Sequence, residues 1–290
     1  MTSMKKSIGI LYLCTGPYVL FWEDFFRSFE EKFLPDVEKK YFVFTDAKQI
    51  YAQDHDRVRI TKIEPQPWPL ITLFRFATFL KVEEELEKCD YVMFSNANMV
   101  CKEVVSKEEF LPRREKGEVL SVTEHPGYFG AGKICFPYER RKESSAYVSY
   151  NAGEHYVIGA MFCGTSEAFL RMSKTLKYNI EEDLKKNIIA RWHDESQLNR
   201  YIISKPGIRF LSPSYCYPCG MEVSYEAKIA AVSKQAKFDV QTFKGQNEKK
   251  SSNLRTMLGK LKRTLMLKER MFWLLDTLLQ KHMGEIKDAE

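Results

Sequence analysis

Two short polar clusters in this chain have the residue types and spacing to do chemistry. The first, Asn96-Ala97-Asn98, ends the apolar run Tyr91-Val92-Met93-Phe94. An acidic pair spaced x-D-x-D after such a strand is a common way to hold a divalent metal against a nucleotide diphosphate. Here carboxamides of nearly the same shape replace both carboxylates, which keeps the geometry and removes the charge. Hard cations favour anionic oxygen ligands, so most metal affinity goes with that charge. Asn-x-Asn alone is a weak signal, because Asn is common in plain turns. The second cluster, Trp192-His193-Asp194-Glu195-Ser196, opens a helix whose next turn holds Leu198, Asn199 and Tyr201. Neighbours at a helix start lie about 100° apart. Asp194 and Glu195 therefore point different ways, so that one can bind a substrate hydroxyl while the other faces a reacting carbon. Acids in a first turn also simply complement the helix dipole.

The elements that must position these clusters alternate. Ser7 to Leu13 reads as a buried strand, and Tyr18 to Phe33 as a helix with Val19, Phe21, Trp22, Phe25, Phe26, Phe29 and Phe33 at helical spacing, ending before Pro35. Tyr41 to Phe44 is a second strand, and Arg57 to Ile63 is β-rich. Leu70 to Leu86 reads as a helix, Tyr91 to Phe94 as the next strand. This β-α-β rhythm predicts a mostly parallel sheet with helices on both faces. Ligands bind beyond the carboxyl ends of such strands, where Thr15-Gly16-Pro17, Asn96 and Asn98 fall. Glu124 to Ala160 is rich in Gly, His and Tyr and reads as loop, a composition that often carries substrate contacts. Ser166 to Ile189 and Trp192 to Ile203 read as helices.

Composition excludes several classes. At 290 residues and 44% hydrophobic, the chain can bury a full core. It contains no long uncharged apolar segment and no signal-peptide pattern, which predicts a cytosolic protein without a membrane span. Seven cysteines at scattered spacing do not form a disulfide framework. Cys216-Tyr217-Pro218-Cys219 lacks the further ligands that structural zinc wants. The net charge of +6 is concentrated late: Lys249 to His282 holds nine Lys/Arg against Glu269 and Asp276. Residues 1–245 thus read as the catalytic body. Residues 246–290 read as a basic amphipathic helical tail, with Leu254, Leu258, Leu261, Leu265, Phe272, Leu275 and Leu279 on one face. Such a tail either makes peripheral contact with an anionic membrane or packs against the body or a second copy of the chain. It lacks interleaved exposed aromatics, which argues against a nucleic-acid partner.

Taken in order, a series of segments carries more weight than any one of them. Tyr41-Phe42-Val43-Phe44-Thr45-Asp46 is followed by Trp68 with Arg75, Asn96-Ala97-Asn98-Met99 and His125-Pro126-Gly127-Tyr128-Phe129-Gly130. Then come Tyr138-Glu139-Arg140-Arg141, Ser145-Ala146-Tyr147, Trp192-His193-Asp194-Glu195-Ser196-x-Leu198-Asn199-x-Tyr201 and Leu211-Ser212-Pro213-x-Tyr215. From about Ile8 to Phe243 this resembles glycosyltransferase family 6, the histo-blood-group A/B and α-1,3-galactosyltransferase family. The Asn-Ala-Asn and the missing anchor resemble that family's bacterial, metal-independent branch.

The resemblance implies a GT-A fold and a retaining transfer of Gal or GalNAc from a UDP donor to the 3-hydroxyl of a galactoside or fucosyl-galactoside. Leu13, Cys14, Thr15 and Tyr18 would hold uridine, and Trp68, Thr72 and Arg75 would line the donor cleft. Asn96 and Asn98 stand where the metal-binding aspartates would be, so no cofactor and no metal is expected. His125, Tyr128 and Trp192 would contact the acceptor. Asp194 would hydrogen-bond the donor sugar, and Glu195 would be the catalytic carboxylate, either as nucleophile or as stabiliser of an oxocarbenium-like transition state. Ile158-Gly159-Ala160 aligns with the sugar-selecting triplet. Ile158 and Ala160 flank that choice, with a lean towards UDP-GalNAc, although one methyl discriminates by only a few kcal/mol.

Two departures qualify this pattern. Without a metal, protein cations must offset the charge on the leaving UDP. Lys234 leads the candidates, then Arg75, with Lys228 and Lys237 behind. Pro218 stands where the family often has an acidic acceptor contact. A rival class, a non-catalytic binding protein that keeps the cleft, draws on the amide pair; the retained Asp194-Glu195 pair and acceptor aromatics speak for an enzyme.

Overall fold

A computed structural model of the chain describes residues 5–203, 205–220 and 225–239. The basic tail expected over 246–290, and the boundary at 245, lie outside the described residues. The strands are β1 (Ser7–Leu13), β2 (Glu38–Thr45), β3 (Val58–Lys62), β4 (Tyr91–Ser95), β5 (Met99–Cys101), β6 (Leu120–Glu124), β7 (Val157–Thr165), β8 (Ile208–Leu211) and β9 (Ile229–Ala231). The longer helices are α1 (Trp22–Lys32), α6 (Ser166–Lys185) and α7 (His193–Ile202). Four short ones are α2 (Leu70–Leu73), α3 (Arg75–Phe79), α4 (Glu83–Leu86) and α5 (Lys107–Phe110).

Seven strands form one sheet in the order β3-β2-β1-β4-β7-β6-β8. β3, β2, β1 and β4 are mutually parallel, so their carboxyl ends share one edge. β7 runs antiparallel to both β4 and β6, and β8 lies parallel to β6. The sheet is buried on both faces, and its strands alternate between two cores as a period of two requires. Ile8, Ile10, Tyr12, Tyr41, Val43, Tyr91 and Met93 face the α1 side with Trp22, Phe25 and Phe29. Leu11, Phe42, Phe44, Val92 and Phe94 face the opposite layer of Phe76, Phe79, Phe169 and Met172. Gly9 is small for a reason: a Cβ there would stand 3.0 Å from Leu86 Cδ2 and 3.1 Å from the Phe42 ring.

Two expectations change. The stretch expected as one helix from Leu70 to Leu86 is instead α2, α3, a 3-10 turn (Leu80–Val82) and α4. Its β-branched and aromatic residues are modest helix formers, and none of its pieces has a side-chain N-cap bond. Thr72 and Thr78 hydroxyls return to the carbonyls of Pro69 and Phe74. The helix expected from Tyr18 likewise begins as a 3-10 segment, Gly16–Phe21, before α1. Cys216 is buried, Cys219 is exposed, and every cysteine among the described residues is free.

The loop between β6 and β7 is tied down by polar residues from the recognised motifs. Ser144 Oγ and Ser145 N donate to Asp183 at 2.6 and 2.7 Å, and Gln197 Nε2 donates to the same carboxylate at 3.1 Å. Glu139 accepts from Arg141 and from Arg191 N. Against its burial, these bonds hold its pKa at about 2. Asn199 acts as a clamp between α7 and β7: its side chain accepts from Val157 N at 2.9 Å and donates to Val157 O at 2.8 Å. It also donates to Glu195 O at 2.9 Å. Asn199→Ala should therefore destabilise the protein by about 2–4 kcal/mol. A denaturant titration should show a lower midpoint with an unchanged m-value.

Candidate active site

The carboxyl edge of the parallel strands opens into a cavity of about 450 Å³. Leu13 and Thr15 follow β1, Tyr18 enters from the 3-10 segment, and Phe94, Asn96, Ala97 and Asn98 come from the end of β4. Trp68, Ile71, Thr72 and Arg75 form the wall from the broken helical stretch, with Gln66 and Pro67 before it; Lys234 arrives from the far end of the described chain. Nine of the twelve residues expected at the donor site thus line one cavity. The other three do not. Cys14 is fully buried behind β1, where burial pushes its thiol up to about 12. Ile158 and Ala160 lie on β7 beside the first core, and Ala160 O accepts from Asn96 N at 2.9 Å.

β7 meets the start of α7 at Gly159. Its N–H donates to Glu195 Oε2 at 2.8 Å, and its carbonyl accepts from Arg75 Nη1 at 2.7 Å. Arg75 Nη1 also pairs with Asp194 Oδ2 at 3.0 Å. A side chain at 159 would have its Cβ 3.1 Å from Asp194 Oδ2 and 3.2 Å from Glu195 Cβ, so glycine is what lets the strand and both acids converge. The two carboxylates do point apart: Asp194 to Arg75, Glu195 to the Gly159 amide and to the Tyr156 hydroxyl, which donates to Oε1 at 2.8 Å. His193, just before them, holds φ at 51°, a left-handed conformation that is uncommon outside glycine.

Burial sets the protonation of these groups. Desolvation pushes Glu195 up to about 7, against the pull of the Gly159 N–H and Tyr156 hydroxyl. Asp194 is raised by burial too, opposed by Arg75. Lys234 is lowered by burial and then by the nearby Arg75 charge. Arg75 is only 6% exposed, with its guanidinium 4.5 Å above the Phe94 ring and its Nε without a partner among the described residues.

The expected acceptor residues separate into two groups. The His125 and Tyr128 rings lie 5.0 Å apart at a tilt of 57°, and both pack on Tyr156, at 5.7 and 5.2 Å. Burial lowers His125 to about 4, leaving a neutral ring whose Nδ1 accepts from Gly127 N. Trp192 stands 45% exposed at the entry to α7, with no ring contact to His125 or Tyr128 among the described residues. Trp68 is 55% exposed and meets the His193 ring edge-on at 5.0 Å. Neither tryptophan is core. Tyr156, the link between the acceptor aromatics and Glu195, is the site residue that sequence patterns do not single out.

The residues at the x-D-x-D position fit a divalent cation poorly: both offer only neutral oxygens, and Asn98 Nδ2 donates to Val232 O at 2.8 Å. Of the candidate cations, Lys228 pairs with Glu109 at 2.7 Å and Lys237 with Asp24 at 2.8 Å. Lys234 has no carboxylate partner among the described residues and lies 5.3 Å from the Tyr18 ring. No described helix is long and apolar enough to cross a membrane.

Comparison with known proteins agrees with this geometry. The chain is 38% identical over 229 residues to the O-antigen biosynthesis glycosyltransferase WbnI of Escherichia coli, covering 79% of this chain and 95% of that one. It is 30% identical to globoside alpha-1,3-N-acetylgalactosaminyltransferase 1 of Mus musculus, over 74% of this chain and 62% of the relative. It is 28% identical to histo-blood group ABO system transferase 2 of Rattus norvegicus, over 73% and 64%. The chain therefore spans somewhat under two thirds of these mammalian relatives. With residues 1–242 matching the family profile, an α/β sheet of GT-A type and a cleft at its carboxyl edge, this chain belongs to glycosyltransferase family 6.

Proposed function

We propose that this glycosyltransferase moves GalNAc from UDP-GalNAc to the 3-hydroxyl of a β-galactoside, a fucosylated one in the fullest case. It forms an α-1,3 linkage with retention and without a metal ion. The observation that carries this reading is the charge arrangement of the cleft. Two amides replace the acids, and among the described residues Lys228 and Lys237 pair with carboxylates whereas Lys234 on the cavity wall does not. A diphosphate that leaves with growing negative charge needs a cation fixed beforehand, and charge-assisted hydrogen bonds from lysine or arginine supply one. Arg75 gives its Nη1 to Asp194 and the Gly159 carbonyl and also lines the cavity, so it adds to the positive field beside Lys234.

In this reading uridine rests against Leu13, Thr15 and Tyr18, and Asp194, steadied by Arg75, meets a hydroxyl of the donor sugar. The bond from C1 to the diphosphate oxygen breaks with its electron pair leaving on UDP. The acceptor 3-oxygen forms the new bond on the face that UDP left, and its hydroxyl proton passes to the departing diphosphate oxygen, which has gained the electron pair. Glu195, held by Gly159 and Tyr156, answers the positive charge that develops at C1, and it must be ionised to do so whether or not it bonds to that carbon. His125 and Tyr128 offer the acceptor a neutral imidazole and an aromatic ledge. The likeness to the mouse globoside alpha-1,3-N-acetylgalactosaminyltransferase supports GalNAc as the sugar.

Transfer to a fucosylated galactoside, assayed with both donors in EDTA, should proceed at full rate, run faster with UDP-GalNAc than with UDP-Gal, and gain nothing from manganese. A strict manganese requirement would refute the metal-free reading, and a clear preference for UDP-Gal would reverse the choice of sugar. Glu195→Gln should cut transfer by a factor on the order of 10³ while UDP binding measured by calorimetry persists. Undiminished turnover in that variant would remove Glu195 from the catalytic role, and UDP binding without any product from the unaltered chain would point to a non-catalytic binding protein. Because Glu195 sits near 7 and works as the anion, kcat/KM should fall as pH drops through about 7. Tyr156→Phe removes a hydrogen bond that favours the ionised form, so the acid limb of the profile should move up by about one pH unit.

A further inference from the structure

Asn98 lines the cleft, yet its amide is committed to another segment. Nδ2 donates to Val232 O at 2.8 Å, and the Val232 N–H donates to Asn98 O at 2.7 Å. These two bonds close a ring between residues 134 apart in the chain. The ring continues a short antiparallel ladder, in which β5 pairs with β9 and Met99 lies opposite Ala231. Asn98 thus adds one further rung, half of it built from its side chain.

What the rung holds is the segment that carries Lys234. Two residues beyond Val232 the chain turns through a 3-10 helix, Lys234–Ala236, which puts Lys234 on the cavity wall and its Nζ 5.3 Å from the Tyr18 ring. Past that turn the segment is fastened again: Lys237 pairs with Asp24 at 2.8 Å, and Phe238 packs edge-on against Tyr18 at 5.3 Å and Phe21 at 6.1 Å. Lys234 is held between these two fastenings. One grips α1 and the 3-10 segment before it; the other is Asn98.

We propose that Asn98 is a positioning residue: its carboxamide latches the 229–236 strap across the cleft and so fixes Lys234 at the diphosphate end. The amide nitrogen is what the latch requires. An aspartate of the same shape would set a second acceptor against the Val232 carbonyl, lose the bond and repel the strap. The exchange of acid for amide therefore does two things at once, removing an anionic metal ligand and adding the donor that seats a fixed cation. This inference rests on the reading of Lys234 given above, and its test separates the two.

Hydrogen exchange resolved over the 229–236 amides reports the latch directly. Asn98→Ala and Asn98→Asp should each speed exchange there by about tenfold, with β1, β4 and β7 unchanged. Either variant should lower kcat/KM for the UDP donor, with EDTA present, by about the same factor. In a Lys234→Ala background, Asn98→Ala should then cause no further loss, because its effect runs through the lysine. Unchanged exchange in both Asn98 variants would overturn the latch, and so would losses that simply add in the double variant, since Asn98 would then act on the donor itself. Full activity in Lys234→Ala alone would sink the reading of the lysine. The exchange result would still decide whether the amide holds the strap.

Discussion

The buried Arg75–Asp194 pair holds the walls of the cleft together. Taking a guanidinium and a carboxylate out of water costs several kcal/mol per ion, and their mutual attraction offsets this only with good geometry and further hydrogen bonds. The surroundings supply those: the Gly159 carbonyl accepts from the same Nη1, and the Phe94 ring lies beneath the guanidinium. One donor, Arg75 Nε, stays unmatched among the described residues, which is a real cost in a buried group. Such a pair is weak evidence for stability and better evidence for position. It ties α3 to β7 and α7, which Asn199 and Glu195 already hold together, and it fixes which way Asp194 faces. Glu195, the next residue, is thereby turned towards Tyr156 and the Gly159 amide.

The charge map follows from that constraint. Arg75 and Asp194 largely cancel, and Glu195 is held by neutral donors, so nothing near it pays for its ionisation except two hydrogen bonds. Its proton affinity rises accordingly, which leaves it poised near neutrality. Lys234 is in the converse position. Burial and Arg75 both disfavour its charge, and no carboxylate among the described residues relieves it. An anion arriving beside it would do so, because an opposite charge within a few ångströms restores the charged form. On the function proposed above, this balance suits a diphosphate beside Lys234 and a developing positive charge beside Glu195.

Much of this was legible in the chain itself. The parallel strands, the two helices around residues 166–202 and the placing of Asn96 and Asn98 beyond a strand end follow from alternation and apolar runs, which are local signals. The broken stretch from Leu70 to Leu86 was not, because its apolar spacing suits a helix while tertiary demands on Trp68, Thr72 and Arg75 bend it into turns. Tyr156 was not legible either: its role depends on a hydroxyl meeting Glu195 thirty-nine residues away, and no pattern rule links such positions. The resemblance sets Cys14 beside the uridine, and the pleat turns its side chain into the core, a direction that the motif alone does not carry. Gly159 was noticed as part of a triplet, yet its steric reason appears only when β7 is docked on α7.

The amides and the lysine are best understood as one device. On the proposal above, a carboxylate at 98 would lose the amide donor, set an acceptor against the Val232 carbonyl and compete with a diphosphate for the Lys234 charge. Conversely, an amide at 98 without the lysine would leave the diphosphate facing neutral groups in a half-buried site, where uncompensated charge is costly. Neither exchange works alone. The ladder between β5 and β9 supplies the physical link, because it carries residue 98 on one strand and ends two residues from the other's cation. Selection for charge at the leaving group and selection for strap geometry therefore act on the same side chain.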